Sequence, residues 1–241
     1  MKTGERIIDI HTHILPGIDD GSQSMDESIQ MLRIAEREGI TDVMVTPHYK
    51  GGRHNASPQT VLRLLDELRE HAVALGISVS IHLGNEVLYF SEVEEALDEK
   101  YIFTMNGSDF VLVEFHPGDR YGYIRNALDH VQGMGYTPVL AHVERYACML
   151  KDKDAVRQIR DMGVRIQVNA SSVEGALGWS VKHFTHEILR KHLVDYIGTD
   201  AHNCDRRAPE IQKCAKILYK KFGDEYADSV LYGNAQRDFD I

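Results

Sequence analysis

The feature that most constrains this chain is the placement of titratable residues at the carboxyl ends of apolar, β-branched segments. The first example is residues 9–21, DIHTHILPGIDDG, in which His11 and His13 close a segment typical of a buried strand. Side chains alternate between the two faces of a strand, so residues two apart point the same way. We therefore expect His11 and His13 to share one face, where they can bind a metal ion, with Ile10 on the other.

Short apolar segments alternate along the chain with segments of helical period. Capping signals open three of the helices, at Ser24, at Ser57-Pro58 and at Ser91 to Glu94. Strands separated by helices indicate βαβ units and a parallel sheet. Seven strands are predicted, the first ending at His11 and His13 and the later ones lying at residues 41–48, 77–83, 110–113, 137–142, 165–169 and 195–199.

Six of the seven predicted strands end at a histidine or a carboxylate. After the first strand these residues are His48, Glu86, Glu114, His142, Asp200 and His202. The carboxyl ends of all strands meet on one rim of a parallel barrel, and active sites are built there. An open sheet would instead spread the same residues along a line. We therefore predict an α/β fold with a distorted TIM-like barrel of seven strands and a single domain over residues 1–241.

So many imidazoles and carboxylates on one rim cannot form a hydrogen-bonded core, because each buried charge would need a partner, and metal ions supply that partner. Ligands that mix imidazole with carboxylate, without thiolate, suit divalent manganese, iron or zinc. Eight or so ligands are too many for one ion, so we predict two or three ions with a carboxylate bridging neighbours. Closely spaced ions clamp the attacking and leaving oxygens of a phosphoryl displacement, which predicts a multinuclear hydrolase.

Composition excludes several other classes of protein. The net charge of −10 argues against binding to a nucleic-acid backbone, and with it against a nuclease. No apolar run approaches the roughly 20 residues that span a bilayer, and no leader is apparent, so we expect a soluble cytoplasmic protein without direct membrane insertion. Cysteine-based phosphatases need an arginine six residues after the nucleophile. The positions six residues after the three cysteines hold aspartate, glutamate and lysine.

Seven segments of the chain match the motifs of a known family. The chain resembles the PHP (polymerase and histidinol phosphatase) superfamily, and most closely its bacterial manganese-dependent tyrosine phosphatases of capsule and exopolysaccharide systems, the CpsB/YwqE-like family. The matching segments lie between residues 9 and 203 and read DIHTHILPGIDDG, TPHY, GNEVLY, LVEF, AHVERY, QVNASS and GTDAHN. This resemblance implies the PHP fold, a distorted seven-stranded barrel that holds three metal ions.

The resemblance also implies a role for each motif residue. The implied ligands are His11, His13, Glu86 and Asp200 for the first ion, Glu86, Glu114 and His142 for the second, and Asp20, His48 and His202 for the third. Asp20 is preferred to Asp19 because it directly precedes Gly21, and Asp19 is expected in a turn or supporting role. Arg145 and Arg207 correspond to the two phosphate-binding arginines of the family. For the second position Arg207 is preferred to its neighbour Arg206, because it aligns better with the family motif.

The implied activity is hydrolysis of phosphotyrosine on a protein, with a bacterial tyrosine autokinase that controls capsule or exopolysaccharide synthesis as the partner. Mn²⁺ is the expected ion, with Fe²⁺, Zn²⁺ and Mg²⁺ as alternatives. Two other functions stay open: a phosphomonoesterase of the superfamily acting on histidinol phosphate or another small molecule, and a non-catalytic metal-binding regulatory module. The sequence carries no signal of the oligomeric state or of a general acid.

Overall fold

A computed structural model describes residues 6–52 and 55–241 of the chain. In these residues short strands alternate with helices, as the sequence predicts. The strands are β1 Ile8–Thr12, β2 Asp42–Val45, β3 His48–Tyr49, β4 Ser80–Leu83, β5 Glu86–Leu88, β6 Phe110–Glu114, β7 Thr137–Leu140, β8 Arg165–Asn169 and β9 Tyr196–Gly198. The helices are α1 Met25–Arg37, α2 Pro58–Ala74, α3 Val93–Asp98, α4 Tyr121–Gly133, α5 Ala147–Lys151, α6 Lys153–Asp161, α7 Ala170–Glu174, α8 Trp179–Arg190, α9 Gln212–Phe222, α10 Asp224–Asp228 and α11 Asn234–Phe239.

The strands form a curled, parallel sheet. One part has the order β1-β2-β4 and the other the order β3-β5-β6-β7-β8-β9. Within each part, all neighbouring strands pair in parallel. A single parallel bridge joins Thr12 to Ala201, which brings the end of β1 beside the segment after β9. The carboxyl ends of the strands therefore meet on one side of the molecule, which we call the carboxyl rim.

Two predicted strands are interrupted in the structure. The segment predicted as one strand from residue 41 to 48 is divided into β2 and β3 at Pro47, which has no N–H to donate to the ladder. Asn85 occupies the corresponding break between β4 and β5, and its side-chain amide donates to the carbonyl of Pro47 at 2.8 Å. His48 and Glu86 consequently begin new short strands, in register with each other, instead of ending long ones.

An irregularity in β1 changes the expected orientation of its side chains. Asp9 pairs with Val43 and Thr12 with Val45, so three steps along β1 match two along β2. Such a bulge shifts the alternation by one residue. Ile10 lies in the smaller apolar core with residues such as Leu112, while His11 reaches the polar rim above it. The expectation that Ile10 faces away from His11 is therefore wrong, because the bulge places both on the inner side.

The first two helices begin where the sequence predicts, whereas the capping box predicted at Ser91 is wrong, because α3 begins at Val93 and has no side-chain cap. Ser24 accepts a hydrogen bond from the Glu27 N–H at the start of α1, and Ser57 accepts one from the Thr60 N–H at the start of α2. The apolar faces of these helices pack against the outer face of the sheet in the larger core. Within the described ranges, no helix has both the length and the apolarity needed to cross a bilayer.

Candidate metal centre

Glu86, the first residue of β5, is the centre of the polar group on the carboxyl rim. Its Oε2 atom lies 3.2 Å from Nε2 of His11, 3.2 Å from Nε2 of His13 and 3.0 Å from Nδ1 of His48. Its Oε1 atom lies 2.7 Å from Nε2 of His142. The carboxylate is buried, and four imidazoles from three places in the sequence converge on it.

The four residues expected to bind the first ion form one cluster. Ligand atoms of His11, His13, Glu86 and Asp200 all lie within 4.8 Å of one another, and all four side chains are buried. The two histidine Nε2 atoms are 3.2 Å apart, and each lies 3.6 Å from Oδ1 of Asp200. This is the spacing that ligands around a shared cation adopt.

The residues expected to bind the second ion also lie together. Nε2 of His142 is close to Glu86 and 3.8 Å from Oε2 of Glu114. Glu114, the last residue of β6, places Oε1 at 3.1 Å from Nδ1 of His48, so His48 joins this group as well. The tightest group here is therefore His48, Glu86 and Glu114, and His142 lies beside it through its contact with Glu86.

The third expected group lies at the solvent side of the rim. Oδ1 of Asp20 is 3.2 Å from Nε2 of His48 and 3.7 Å from Nε2 of His202. His13 completes this cluster, with its ring 4.0 Å from that of His202. Asp20 is 63% exposed, so the metal centre opens to solvent here.

Asp19 supports these ligands, as expected. Its Oδ2 atom lies 2.8 Å from Nδ1 of His13 and accepts the backbone N–H of His48, while Oδ1 accepts the N–H of Gly21. Bonding at Nδ1 leaves Nε2 of His13 directed toward Glu86. A Cβ at Gly21 would lie 2.2 Å from the carbonyl oxygen of His13, so only glycine allows this turn to fold against the strand.

Two predicted ligands have strained backbones. His142 has φ 32° and Asp200 has φ 55°, in the left-handed region that non-glycine residues rarely adopt. Such strain persists where the surrounding structure holds it, and it is concentrated at functional sites. In both cases it turns a side chain back toward the rim directly after a strand, β7 or β9.

Arg145 and Arg207 reach the same carboxylate from two loops. Nη1 of Arg145 lies 3.4 Å from Oδ2 of Asp200, and Nη2 of Arg207 lies 2.9 Å from Oδ1. Their side chains are 39% and 40% exposed and border the same cleft as the predicted ligands. Both Arg206 and Arg207 border a neighbouring cavity, but of the two only Arg207 also borders the cleft of the predicted ligands, which supports the preference for it.

The cleft above the metal centre has a volume of about 240 Å³. Beyond the acids, histidines and arginines, it is bordered by Lys50, Leu88, Phe115, His116 and Pro117. Its base is therefore polar and its wall partly apolar, as in a pocket that holds a charged group attached to a ring.

Electrostatics of the rim favour bound cations. Burial opposes charge on His13 and His48, yet their contacts with Asp19, Glu86 and Glu114 raise the pKa of His13 to about 10 and that of His48 to about 9. Burial would also raise the pKa of Glu86, but the nearby histidines hold it well below its usual range. The surplus negative charge attracts protons wherever no other cation is bound.

Unpaired polar atoms give the same indication. Within the part of the chain that the structure describes, the buried atoms Glu86 Oε2, His48 Nδ1 and His142 Nδ1 have no partner in hydrogen-bond geometry. Orphaned buried groups are costly and rare, and an ion is one recognised explanation. The donor set therefore fits divalent metal ions, and all nine predicted ligands lie within this one centre.

Sequence reasoning missed two buried residues beside the centre, Gln167 and Asn169 of β8. The sixth predicted strand ends without a charged ligand, so it had no assigned part in the site. The available signal was the presence of two amides, two residues apart, that alternate with the apolar Ile166 and Val168 along the strand.

The chain is similar to known proteins in its family pattern, its sequence and its fold. The sequence model of the family described as capsular polysaccharide synthesis, CpsB/CapC, matches residues 7–239. The tyrosine-protein phosphatase YwqE of Bacillus subtilis is 31% identical over 219 residues, which is 91% of this chain and 86% of YwqE.

Two solved structures extend the comparison. One comes from work on YwqE of Bacillus subtilis and CpsB of Streptococcus pneumoniae, described as metal-dependent tyrosine phosphatases. It superposes with a TM-score of 0.91 at 30% identity, covering 97% of this chain and 94% of that one. A histidinol phosphate phosphatase of Lactococcus lactis, complexed with zinc, L-histidinol and phosphate, matches with a TM-score of 0.60 at 15% identity, covering 89% and 93%. The second likeness concerns the fold alone.

Proposed function

The chain belongs to the CpsB/CapC family, and from that premise we propose that it is a metal-dependent protein-tyrosine phosphatase of capsular or exopolysaccharide synthesis. The observation that carries the proposal is that Arg145 and Arg207 border the same cleft as the three acid and imidazole clusters. Clustered metal ligands beside two guanidinium groups are the arrangement that binds and hydrolyses a phosphate ester.

The proposed centre holds two or three divalent ions, with Mn²⁺ as the expected metal. His11, His13, Glu86 and Asp200 would hold the first ion, Glu86 would bridge to the second, and Asp20 would help hold the third. When bound, such ions supply positive charge that polarises a phosphate ester and lowers the pKa of water. We further propose that the curled sheet is the seven-stranded PHP barrel, counting β2 with β3 and β4 with β5 as single interrupted strands.

Arg145 and Arg207 would bind the non-bridging oxygens of the phosphate. Both side chains are more than one-third exposed and carry several donors that match phosphate geometry. In the free protein they contact Asp200, which keeps them at the edge of the cleft. Their charge would oppose the negative charge that develops on the phosphoryl oxygens during transfer.

The leaving group and the cleft wall favour an aryl phosphate. A phenol has a pKa of about 10, well below that of an alkyl alcohol, so a phenolate departs with little help from a proton donor. Leu88, Phe115 and Pro117 provide an apolar wall beside the polar base, where the phenyl ring would lie. Phe115 is fixed there because its N–H donates to the hydroxyl of the buried Tyr146.

The test is a comparison of substrates with the Mn²⁺-loaded protein. We expect kcat/KM for a phosphotyrosyl peptide to exceed that for the matching phosphoseryl peptide and for histidinol phosphate. A preference for histidinol phosphate would identify a small-molecule phosphomonoesterase instead. Hydrolysis of none of the three would indicate a regulatory metal-binding module.

The biological setting of the proposal comes from the family. The family model is described by capsular polysaccharide synthesis, and the implied partner is a bacterial tyrosine autokinase that carries the phosphotyrosine. A cytoplasmic location, where such a kinase domain would be reached, completes the proposal. Dephosphorylation of a purified autokinase, followed with an antibody to phosphotyrosine, tests this part.

A further inference from the structure

The strand β8 contributes two buried amides to the carboxyl rim. Gln167 is fully buried and Asn169 is 6% exposed, although the strand supplies none of the predicted ligands. A buried amide is costly unless its donors and acceptors are bonded. The bonds these two residues make therefore show what they stabilise.

The two amides form a chain of hydrogen bonds across the metal centre. Oε1 of Gln167 accepts the backbone N–H of His142 at 2.6 Å and lies 3.4 Å from Nδ1 of His11. Nε2 of Gln167 donates to Oδ1 of Asn169 at 2.9 Å. Nδ2 of Asn169 donates to Oδ2 of Asp200 at 2.9 Å. One continuous chain thus connects three predicted ligands.

The direction of this chain is fixed at both ends. A backbone N–H can only donate and a carboxylate can only accept. Gln167 must therefore turn its oxygen toward His142, and Asn169 must turn its nitrogen toward Asp200. Because the oxygen of Gln167 also faces Nδ1 of His11, that nitrogen carries the proton, and Nε2 is left free to bind an ion.

We propose that Gln167 and Asn169 are positioning residues that set the tautomer of His11 and the rotamer of Asp200, so that both present ligand atoms to the same ion. This inference rests on the proposed metal centre. The carboxylate of Asp200 divides its contacts accordingly: Oδ2 receives Asn169, while Oδ1 lies 3.6 Å from Nε2 of both His11 and His13.

Other features of the structure fit this role. A Cβ at Gly198 would lie 2.8 Å from Cβ of His11 and 3.1 Å from Nε2 of Gln167, so a glycine leaves room for the two side chains to meet. The backbone N–H of Asn169 donates to the buried Glu144 at 2.8 Å, which anchors the end of the strand. His142 and Asp200, the two ligands bonded by the chain, are those with strained backbones.

The test is Mn²⁺ titration by calorimetry of folded, chelator-stripped variants. Gln167→Met and Asn169→Leu remove the amides at nearly constant size, and we expect each to weaken binding at the tightest site about 10- to 100-fold. Saturating Mn²⁺ is expected to recover most of kcat, because the amides touch neither substrate nor reacting atoms. Gln132→Met is the matched control, since Gln132 bonds the carbonyl of Met162 away from the rim.

Conservative variants separate positioning from packing. Gln167→Glu keeps an oxygen facing His142 and His11, so it should bind Mn²⁺ more tightly than Gln167→Met. Both variants keep the size of the side chain and lose the Nε2 donor to Asn169, so equal weakening in the two would overturn the role of the oxygen. If Asn169→Leu does not fold, Asn169→Ser replaces it. The serine hydroxyl is too short to reach Asp200, so this variant also lacks the donor that Asn169 provides.

The outcomes distinguish this inference from the proposed function. Suppose that the wild-type protein binds Mn²⁺ and hydrolyses phosphotyrosyl peptide, and that Gln167→Met and Asn169→Leu bind Mn²⁺ as tightly as the wild type does. That result would overturn the positioning role alone. A wild-type protein that binds no Mn²⁺ would overturn both.

Discussion

The two ends of the sheet treat buried carboxylates in opposite ways. At the amino end, Asp42 receives two bonds from Arg6, at 2.9 and 3.0 Å, and lies 3.0 Å from Nε2 of His82. At the carboxyl rim, Glu86 faces four imidazoles, and its Oε2 atom has no partner in hydrogen-bond geometry among the described residues. The amino end balances its charge with protein groups, whereas the rim has a surplus of acid that suits metal ions.

The contrast shows that similar residue types serve different purposes. His82 lies only four residues before Glu86, but its ring contacts Asp42 at the amino end of the sheet. His116, which also flanks a predicted ligand, does border the cleft. Changes at the amino end should therefore affect stability alone, and changes at the rim should affect metal binding and activity.

The largest effect is expected for His11→Ala. Loss of a ligand to the first ion should lower kcat/KM for a phosphotyrosyl peptide by more than the ~10- to 100-fold typical of losing a ligand's hydrogen-bond partner. Asp42→Ala is the matched change at the amino end and should leave kcat/KM near the wild-type value. Equal loss of activity in both would remove the distinction between the two ends.

The arginines of the rim should affect activity without affecting metal binding. Arg207→Ala is expected to lower kcat about 100-fold, the scale for removing one group that stabilises transition-state charge, while metal content stays the same. Arg206→Ala, one residue away and facing another cavity, is the control and should retain activity. Loss of metal from Arg207→Ala would show that this residue holds Asp200 in place instead of binding phosphate.

At the amino end the measurable effect is on stability. Asp42→Ala leaves the His82 and Arg6 donors without their acceptor and should lower the free energy of unfolding by about 1–3 kcal/mol. Denaturant unfolding of the chelator-stripped variant and wild type measures this difference. No change in stability, together with reduced Mn²⁺ binding, would show that the amino end is part of the metal centre after all.

A smaller effect is expected in the pH dependence of stability, which the variant Asp42→Asn isolates because it keeps the size of the side chain and removes its charge. Burial would raise the pKa of Asp42, but the bonds from His82, Arg6 and Thr41 outweigh it and lower the pKa to about 2. A pKa lower in the folded than in the unfolded state gives stability that is full above the ordinary aspartate value and is lost as pH falls toward 2. The stability gap between wild type and Asp42→Asn should therefore shrink below about pH 4. A gap that widens in this range would contradict the assignment.

Much of the site was predictable from sequence because its ligands follow strand ends in a regular order. The periodicity of strands and helices predicts that Glu86, His142 and Asp200 lie near strand boundaries on the carboxyl rim, whereas the break before β5 and the left-handed backbone of His142 and Asp200 are not visible in it. The β1 bulge and the break at Pro47 were not predictable, since both depend on how neighbouring strands pair. The amides of β8 went unassigned for a related reason: a neutral side chain shows its role only through its bonding partners.

The most direct test of the metal centre is the metal content of the purified chain, measured with its phosphatase activity before and after chelation. We expect two or three divalent ions per chain, loss of phosphotyrosyl-peptide hydrolysis when they are removed, and recovery when Mn²⁺ is returned. Full activity in a chain that holds no metal would contradict the central claim that the carboxyl rim is a catalytic metal centre.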